Sequence, residues 1–147
     1  MKDELDKQLC EKYPKIFKMR HGSMQETAMC WGFPGDGWFE IINTACRNIQ
    51  HHVDWKRKVP PYAGMTDEEF DETHQPVAAQ VKEKFGGLRF YMDNADDYVY
   101  GILSMAESLS YKTCEICGAP GKTGGMGWLT TRCETCNTRQ DNDRIKD

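Results

Sequence analysis

The stretch "CEICGAPGKTGGMGWLTTRCETC", residues 114–136, carries two Cys-x-x-Cys pairs separated by the 15 residues from 118 to 132. Pairs at this spacing are typical of sites in which four thiolates hold one zinc ion. Two residues between ligands let one tight turn present both sulfurs to the same ion, and Gly118 suits the sharp bend after the first pair. The spacing therefore predicts one Zn²⁺ bound by Cys114, Cys117, Cys133 and Cys136.

Four thiolates fill the tetrahedral coordination of zinc, so we expect a structural ion and no catalytic water. Between the pairs the sequence predicts a glycine-rich turn, followed by a short strand from Gly127 to Arg132. This outline is that of a treble-clef or zinc-ribbon lobe, which would occupy residues 111–147 and pack on a main body of residues 1–110. The other three of the seven cysteines are scattered, and we expect them to fill apolar positions in a reducing cytoplasm: Cys10, Cys30 and Cys46.

The charge of the chain disfavours duplex nucleic acid as a partner. Its 147 residues carry a formal charge of -4. Residues 1–110 hold 13 Lys+Arg and 18 Asp+Glu, which gives -5, and residues 111–147 hold 6 and 5, which gives +1. Nonspecific binding to DNA requires many phosphate contacts from basic side chains. No apolar run approaches the roughly 18 residues that would span a bilayer, so we expect a soluble cytoplasmic protein with no membrane partner.

Helical patterns dominate residues 1–110. A short charged helix is predicted over residues 2–13, and an amphipathic helix from about Gly37 to Asp54, beginning after Asp36 as its N-cap. "TDEEF" matches a capping box between Thr66 and Glu69 and predicts a helix to about His74. A last helix is predicted from about Ala95 to Tyr111. The predicted buried stripes of the two long helices are Trp38, Ile41, Ile42, Ala45, Cys46, Ile49 and Val53, and Val99, Ile102, Leu103, Ala106 and Leu109.

Residues 77–92 alternate as two strands do, around the pair Gly86-Gly87. With these glycines as a two-residue hairpin loop, Phe85 lies opposite Leu88 and Lys82 opposite Tyr91. The fold class is then α+β, with three or four helices packed on a small antiparallel sheet. One face of the hairpin carries a basic and aromatic set: Lys82, Lys84, Arg89 and Tyr91. This set is either a solvated strand face or a site for an anion such as a nucleotide.

Three segments resemble one family of small proteins encoded by bacteriophages and in bacterial genomes. They are "GDGWFEII" at 35–42, "VKEKFGGLRFY" at 81–91 and the C-terminal cysteine module. The resemblance covers about residues 32–136. It implies a phage or prophage origin and a bacterial cytoplasm, and, because the family is largely uncharacterised, it brings no established activity and no catalytic residues to this chain.

Three classes of function follow from these features. The first is a non-catalytic binding protein that sequesters or inhibits a host protein or an anionic nucleotide signal, with an anti-defence role as one form. The second is a nucleic-acid-associated zinc-ribbon accessory protein, in which Lys122, Arg132 and Arg139 would touch phosphates. The third is a small hydrolase built from Asp36, Glu40 and His51 or His52. The missing nucleophile and phosphate-loop motifs favour the binding protein.

Overall fold

The computed structural model describes residues 1–138 and shows an α+β protein with two small antiparallel sheets. Two 3₁₀ turns, Ala28–Trp31 and Asp36–Trp38, precede the second helix, and residues 134–138 are helical. The helices are α1 (Asp3–Lys12), α2 (Phe39–Lys56), α3 (Asp67–His74) and α4 (Asp97–Ser110), and the strands are β1 (Val77–Lys84), β2 (Gly87–Asp93), β3 (Lys122–Gly124) and β4 (Thr130–Arg132).

Helices α2 and α4 run antiparallel and pack against each other. The start of α2 lies beside the end of α4, because the Trp38 indole Nε1–H donates to the Thr113 carbonyl at 2.8 Å. The end of α2 lies beside the start of α4, where His52 Nε2 is 2.7 Å from Asp96 Oδ2. Both ends of the helix pair are therefore fixed by a polar contact.

The helix termini follow the local sequence with one exception. Thr66 and Glu69 form the complete capping box at the start of α3, as predicted. Asp96 caps α4 by accepting from the Val99 N–H at 2.9 Å. The prediction that Asp36 caps α2 is wrong, because a 3₁₀ turn precedes the helix and Asp36 Oδ1 instead accepts from the Lys2 backbone N–H at 2.7 Å.

The buried stripes agree with the helical period except at three positions, where Ile41 and Ile102 are half-buried and Leu109 is exposed. Trp38, Ile42 and Ile49 of the first stripe and Val99 of the second are fully buried. Leu109 was predicted to be buried, but 48% of its surface is exposed, because it lies on the outer side of α4 near the helix end. The core also takes residues from the segment before α2, which sequence periodicity does not mark: Ile16, Phe17 and Met29.

The hairpin register differs from the prediction by one residue on each strand. Lys84 pairs with Gly87, Glu83 with Leu88 and Lys82 with Arg89, so the loop is Phe85-Gly86 rather than Gly86-Gly87. Both loop residues have positive φ, 52° and 81°, as a type I′ turn requires. Because both strands shift together, the strand side chains keep their predicted faces. Phe85 is the exception, because it was predicted to face Leu88 in the ladder and instead lies in the loop, with 64% of its surface exposed. The basic and aromatic set stays together, although the direct partner of Lys82 is Arg89 and not Tyr91.

The four-cysteine lobe, which we define as residues 111–138, packs directly on the rest of the chain. Its Glu115 carbonyl accepts from the Gly37 N–H at 2.7 Å, and the Thr131 hydroxyl donates to the Gly86 carbonyl. The predicted strand Gly127–Arg132 is shorter than expected, since only Thr130–Arg132 is extended, and it pairs with Lys122–Gly124 from within the expected turn. The lobe therefore has its own two-stranded sheet.

Candidate metal centre and binding surfaces

The four predicted cysteines converge at the C-terminal lobe. One sulfur from each of Cys114, Cys117, Cys133 and Cys136 lies within 4.8 Å of every other, and the Cys117 and Cys133 sulfurs are 3.6 Å apart. Four sulfurs around one zinc at about 2.3 Å would be separated by roughly 3.8 Å. The donor set is therefore one that a tetrahedral divalent ion fits, and within residues 1–138 it is the one such cluster.

Local backbone geometry holds the first pair of thiols. The Gly118 N–H donates to the Cys114 carbonyl at 2.9 Å, which closes the turn that carries both cysteines. Gly118 has a φ of +80°, and its position faces Gly37 of the main body. A side chain there would be strained by the left-handed backbone. Gly118 therefore serves the turn that the sequence predicted for it.

The second pair lies at the start of the helical residues 134–138. Cys133 directly follows β4, and the Cys136 N–H donates to the Cys133 sulfur at 3.4 Å. Backbone N–H groups at a helix start favour negative charge on a nearby sulfur. Along the chain, the lobe therefore consists of a turn with the first two cysteines, a short hairpin, and the start of a helix with the second two.

The environment of Cys114 favours the thiolate that a metal requires. Cys114 is fully buried, and burial alone would raise the pKa of its thiol. Backbone N–H groups of Cys133, Cys117 and Ile116 outweigh that effect and lower the pKa to about 7. A buried thiolate at neutral pH requires a compensating positive charge, which a divalent cation would supply.

The hairpin face keeps only part of its positive charge. The Arg89 guanidinium is paired with Glu107 at 2.6 Å and also donates to the Tyr111 hydroxyl at 3.0 Å. Lys82 lies over the Tyr91 ring at 5.9 Å, and Lys84 lies over the Phe85 ring at 5.4 Å. No salt bridge to either lysine occurs among residues 1–138. The surface can offer an anion two ammonium groups and a tyrosine, with Arg89 already neutralised.

The residues considered for a hydrolase do not come together. Asp36 contacts Lys2 at the N-terminus, whereas His51 lies 11 residues beyond Glu40 along α2. At 1.5 Å per residue, Glu40 and His51 are about 16 Å apart along the helix axis, too far to act on one bond. His52 is bound to Asp96 and stacks on Tyr98 with ring centroids 4.1 Å apart. These contacts of His52 stabilise the helix pair, and the four candidate residues do not form one site.

A groove that the sequence did not predict runs along the outer side of α2 and α4, and we call it the α2–α4 groove. Its volume is about 640 Å³. Small residues and large, partly exposed ones line it, and the large ones form its walls. The small residues include Ala45, Ala106 and the exposed Gly101, and the walls include Ile41, Tyr98, Ile102, Met105 and Leu109. One signal was present in the sequence, because Leu109 and Met105 extend the apolar stripe of α4 beyond the width that one core contact buries.

The lobe hairpin exposes a second apolar surface. Between β3 and β4, Met126 is fully exposed and Trp128 is mostly exposed. At the base of this hairpin Lys122 pairs directly with Arg132, which places two cations on opposite strands. Arg139, the third residue considered for phosphate contact, lies outside the described residues.

No protein-family model, no curated protein and no solved structure matches this chain. The resemblance of residues 35–42 and 81–91 to phage and prophage proteins therefore stays a prediction. Within residues 1–138, the helices are all too short or too polar to cross a bilayer.

Proposed function

We propose that this chain is a zinc-stabilised, non-catalytic binding protein of phage or prophage origin that acts in the bacterial cytoplasm by binding a host factor. The observation that carries the proposal is the convergence of four thiols within 4.8 Å of one another. Four thiolates saturate a zinc ion, so the metal would stabilise the lobe and take no part in chemistry. The order of cysteine turn, hairpin and helix start supports a treble-clef arrangement.

We favour a host protein as the bound factor. Exposed aromatic and methionine side chains are the residues that protein interfaces use most, and here they lie on a surface with net negative charge. An anionic nucleotide held by Lys82, Lys84 and Tyr91 is the alternative ligand, with Arg89 contributing less because it is paired with Glu107. Sequestration of either ligand requires affinity and no catalytic group.

Native mass spectrometry of the protein, purified from the cells that produce it, tests the proposal. We expect one zinc per chain and a host protein in the complex. A nucleotide-sized mass released on mild denaturation would instead identify the hairpin face, and Lys82→Ala with Lys84→Ala should then abolish its binding without loss of folding. A chain that binds no zinc and keeps its full melting temperature in chelator would refute the structural metal.

A nucleic-acid role has one observation in its favour. Lys122 and Arg132 are direct cross-strand partners beside the exposed Trp128, and like charges at such positions are stabilised by an anion between them. Anisotropy with a labelled single-stranded oligonucleotide tests this role. Affinity that falls steeply with salt and is lost in Lys122→Ala would support it, and the absence of binding at low salt would exclude it.

A further inference from the structure

We propose that the α2–α4 groove binds an amphipathic helix of a partner protein, whose apolar face is flanked at both ends by Lys or Arg. This inference rests on the proposed function and names the partner's chemistry. The groove is built for an apolar occupant, because its walls expose Met105, Tyr98 and Leu109, with 66%, 57% and 48% of their surfaces accessible. Several large, exposed apolar side chains in one groove are typical of helix-binding sites.

The dimensions of the groove match a short helix. The lining residues of α4 extend from Asp97 to Leu109. These positions are 12 residues apart, which at 1.5 Å per residue is about 18 Å along the helix axis. An occupant helix of about 12 residues would fill that length with anchors at i, i+3 or i+4, i+7 and i+11. An extended peptide would instead require an open sheet edge, and the groove is formed by two helices.

Gly101 indicates that the occupant approaches α4 closely. This glycine lies in the middle of α4, where glycine destabilises a helix by about 1 kcal/mol relative to alanine. Nothing within residues 1–138 requires it, because a Cβ at Gly101 would meet no atom of these residues within 4 Å. A missing side chain at this exposed position of the groove lining lets the backbone of a partner come near, and such an approach would offset the cost of the glycine in the helix.

The charges at the groove select a basic partner. Glu40 lies at the start of α2 and Asp97 at the start of α4, and since these helices are antiparallel the two carboxylates lie at opposite ends of the groove. Among the residues that the structure describes, the groove lining contains no Lys, Arg or His. A partner helix that carries two cations about three turns apart would place one beside Glu40 and the other beside Asp97. These charges disfavour a second copy of this chain, because a symmetric pairing of the two grooves would bring acidic ends together.

A synthetic peptide of about 15 residues tests the inference on the full zinc-loaded chain. The probe places leucines at the four anchor positions and a lysine at each end, and it carries a fluorophore for anisotropy. A control peptide has glutamate at both ends. We expect the lysine-ended peptide to bind at least about tenfold more tightly. Equal affinities, or no binding of either peptide, would overturn the proposal.

Three protein variants assign the binding to the groove. Met105→Glu should weaken binding by about tenfold or more. Met24→Glu is its matched control, because Met24 is 65% exposed and lies outside the groove, and its affinity should stay within about twofold. Gly101→Leu should raise the melting temperature, because leucine favours the helix, while it blocks binding. Binding retained in Gly101→Leu, or lost equally in Met24→Glu, would place the peptide elsewhere.

Two further outcomes separate this inference from the function it rests on. A host protein that binds Met105→Glu as tightly as the wild type would overturn the groove but leave the binding function in place. A concentration-dependent dimer that Met105→Glu dissociates, measured by light scattering, would show that a second copy occupies the groove and would overturn the partner helix.

Discussion

Asp96 stabilises the junction of α2 and α4, and its replacement by alanine should lower the free energy of unfolding by about 2–3 kcal/mol. Its Oδ1 caps α4 through the Val99 N–H, and loss of such a cap costs about 1 kcal/mol. Its Oδ2 lies 2.7 Å from His52 Nε2 and 3.1 Å from Lys56 Nζ. Those side chains are only 14% and 13% exposed, so alanine would leave them poorly solvated and without their carboxylate.

The electrostatic part of this magnitude follows from the acidity of Asp96. Partial burial would raise the pKa of its carboxyl, but hydrogen bonds from His52, the Val99 N–H and Lys56 lower it to about 2. The pKa of an Asp in the unfolded chain is about 3.9, so the lowering in the fold corresponds to roughly 2.6 kcal/mol of stability. We reduce this figure to about 1–2 kcal/mol because the carboxyl is partly solvated. A depressed pKa stabilises the fold above pH 3.9, and the contribution is lost as the pH falls toward 2.

Urea unfolding of zinc-loaded protein measures the effect. Asp96→Asn keeps a good capping residue and removes the charge, so it should cost about 1–2 kcal/mol at pH 7. The difference in unfolding free energy between Asp96→Asn and the wild type should shrink as the pH falls from 5 toward 2. Asp97→Asn is the control, because Asp97 is the exposed neighbour in the same helical turn. An Asp96→Asn cost no larger than that of Asp97→Asn, or one that does not change with pH, would refute the reasoning.

The other predictions concern the lobe and the hairpin turn. Cys133→Ser should abolish zinc binding and unfold the lobe, as followed by metal content and circular dichroism, whereas Cys30→Ser should keep both. Trp38→Phe removes the indole hydrogen bond to the Thr113 carbonyl and should cost about 1–2 kcal/mol in urea unfolding; no change would show that this bond does not hold the lobe. Phe85→Asn should raise the unfolding free energy by roughly 0.5–1 kcal/mol, because Phe85 is strained at a φ of 52° in a turn that prefers Asn-Gly. A loss of stability would show that the exposed Phe85 ring makes a contact that outweighs this backbone strain.

The four-cysteine cluster was predictable because its information is local in the sequence. Two Cys-x-x-Cys pairs determine their own turns, and the ligand chemistry of thiolates specifies what the pairs are for. The capping box at Thr66 and Glu69 was predictable for the same reason, since the four residues from 66 to 69 contain both of its hydrogen bonds. Features of this kind depend little on the rest of the fold.

The hairpin register was not predictable, because it depends on a residue distant in the sequence. Gly-Gly is a strong loop signal, and it placed the turn at residues 86–87. In the structure Gly87 belongs to β2, and a Cβ there would collide with the Tyr111 ring at the end of α4. The glycine is therefore required by packing, while Phe85 takes the first turn position. Glu83 supports this turn by accepting from the Gly86 N–H at 2.7 Å.

The α2–α4 groove was missed because the helical period reports apolar residues and does not say what covers them. Leu109 and Val99 contribute to the same stripe in the sequence, yet only Val99 reaches the core. The difference depends on the packing angle of α2 on α4, which periodicity does not contain. Charged residues gave no better signal, because Glu40 and Asp97 each belong to a first helical turn, where acidic residues are favoured for their own helix.

The metal lobe and the groove are coupled through the start of α2. The Gly37 N–H donates to the Glu115 carbonyl, between two of the cysteines, and the Trp38 indole donates to Thr113 just before the first. Glu40, at one end of the groove, follows within a single turn of these contacts. If the four cysteines hold the proposed zinc, its loss would loosen the lobe and remove the support for this turn, while Asp96 and His52 would still hold the opposite end. The proposed zinc would therefore stabilise one end of the proposed binding surface, even though the four cysteines lie outside that surface.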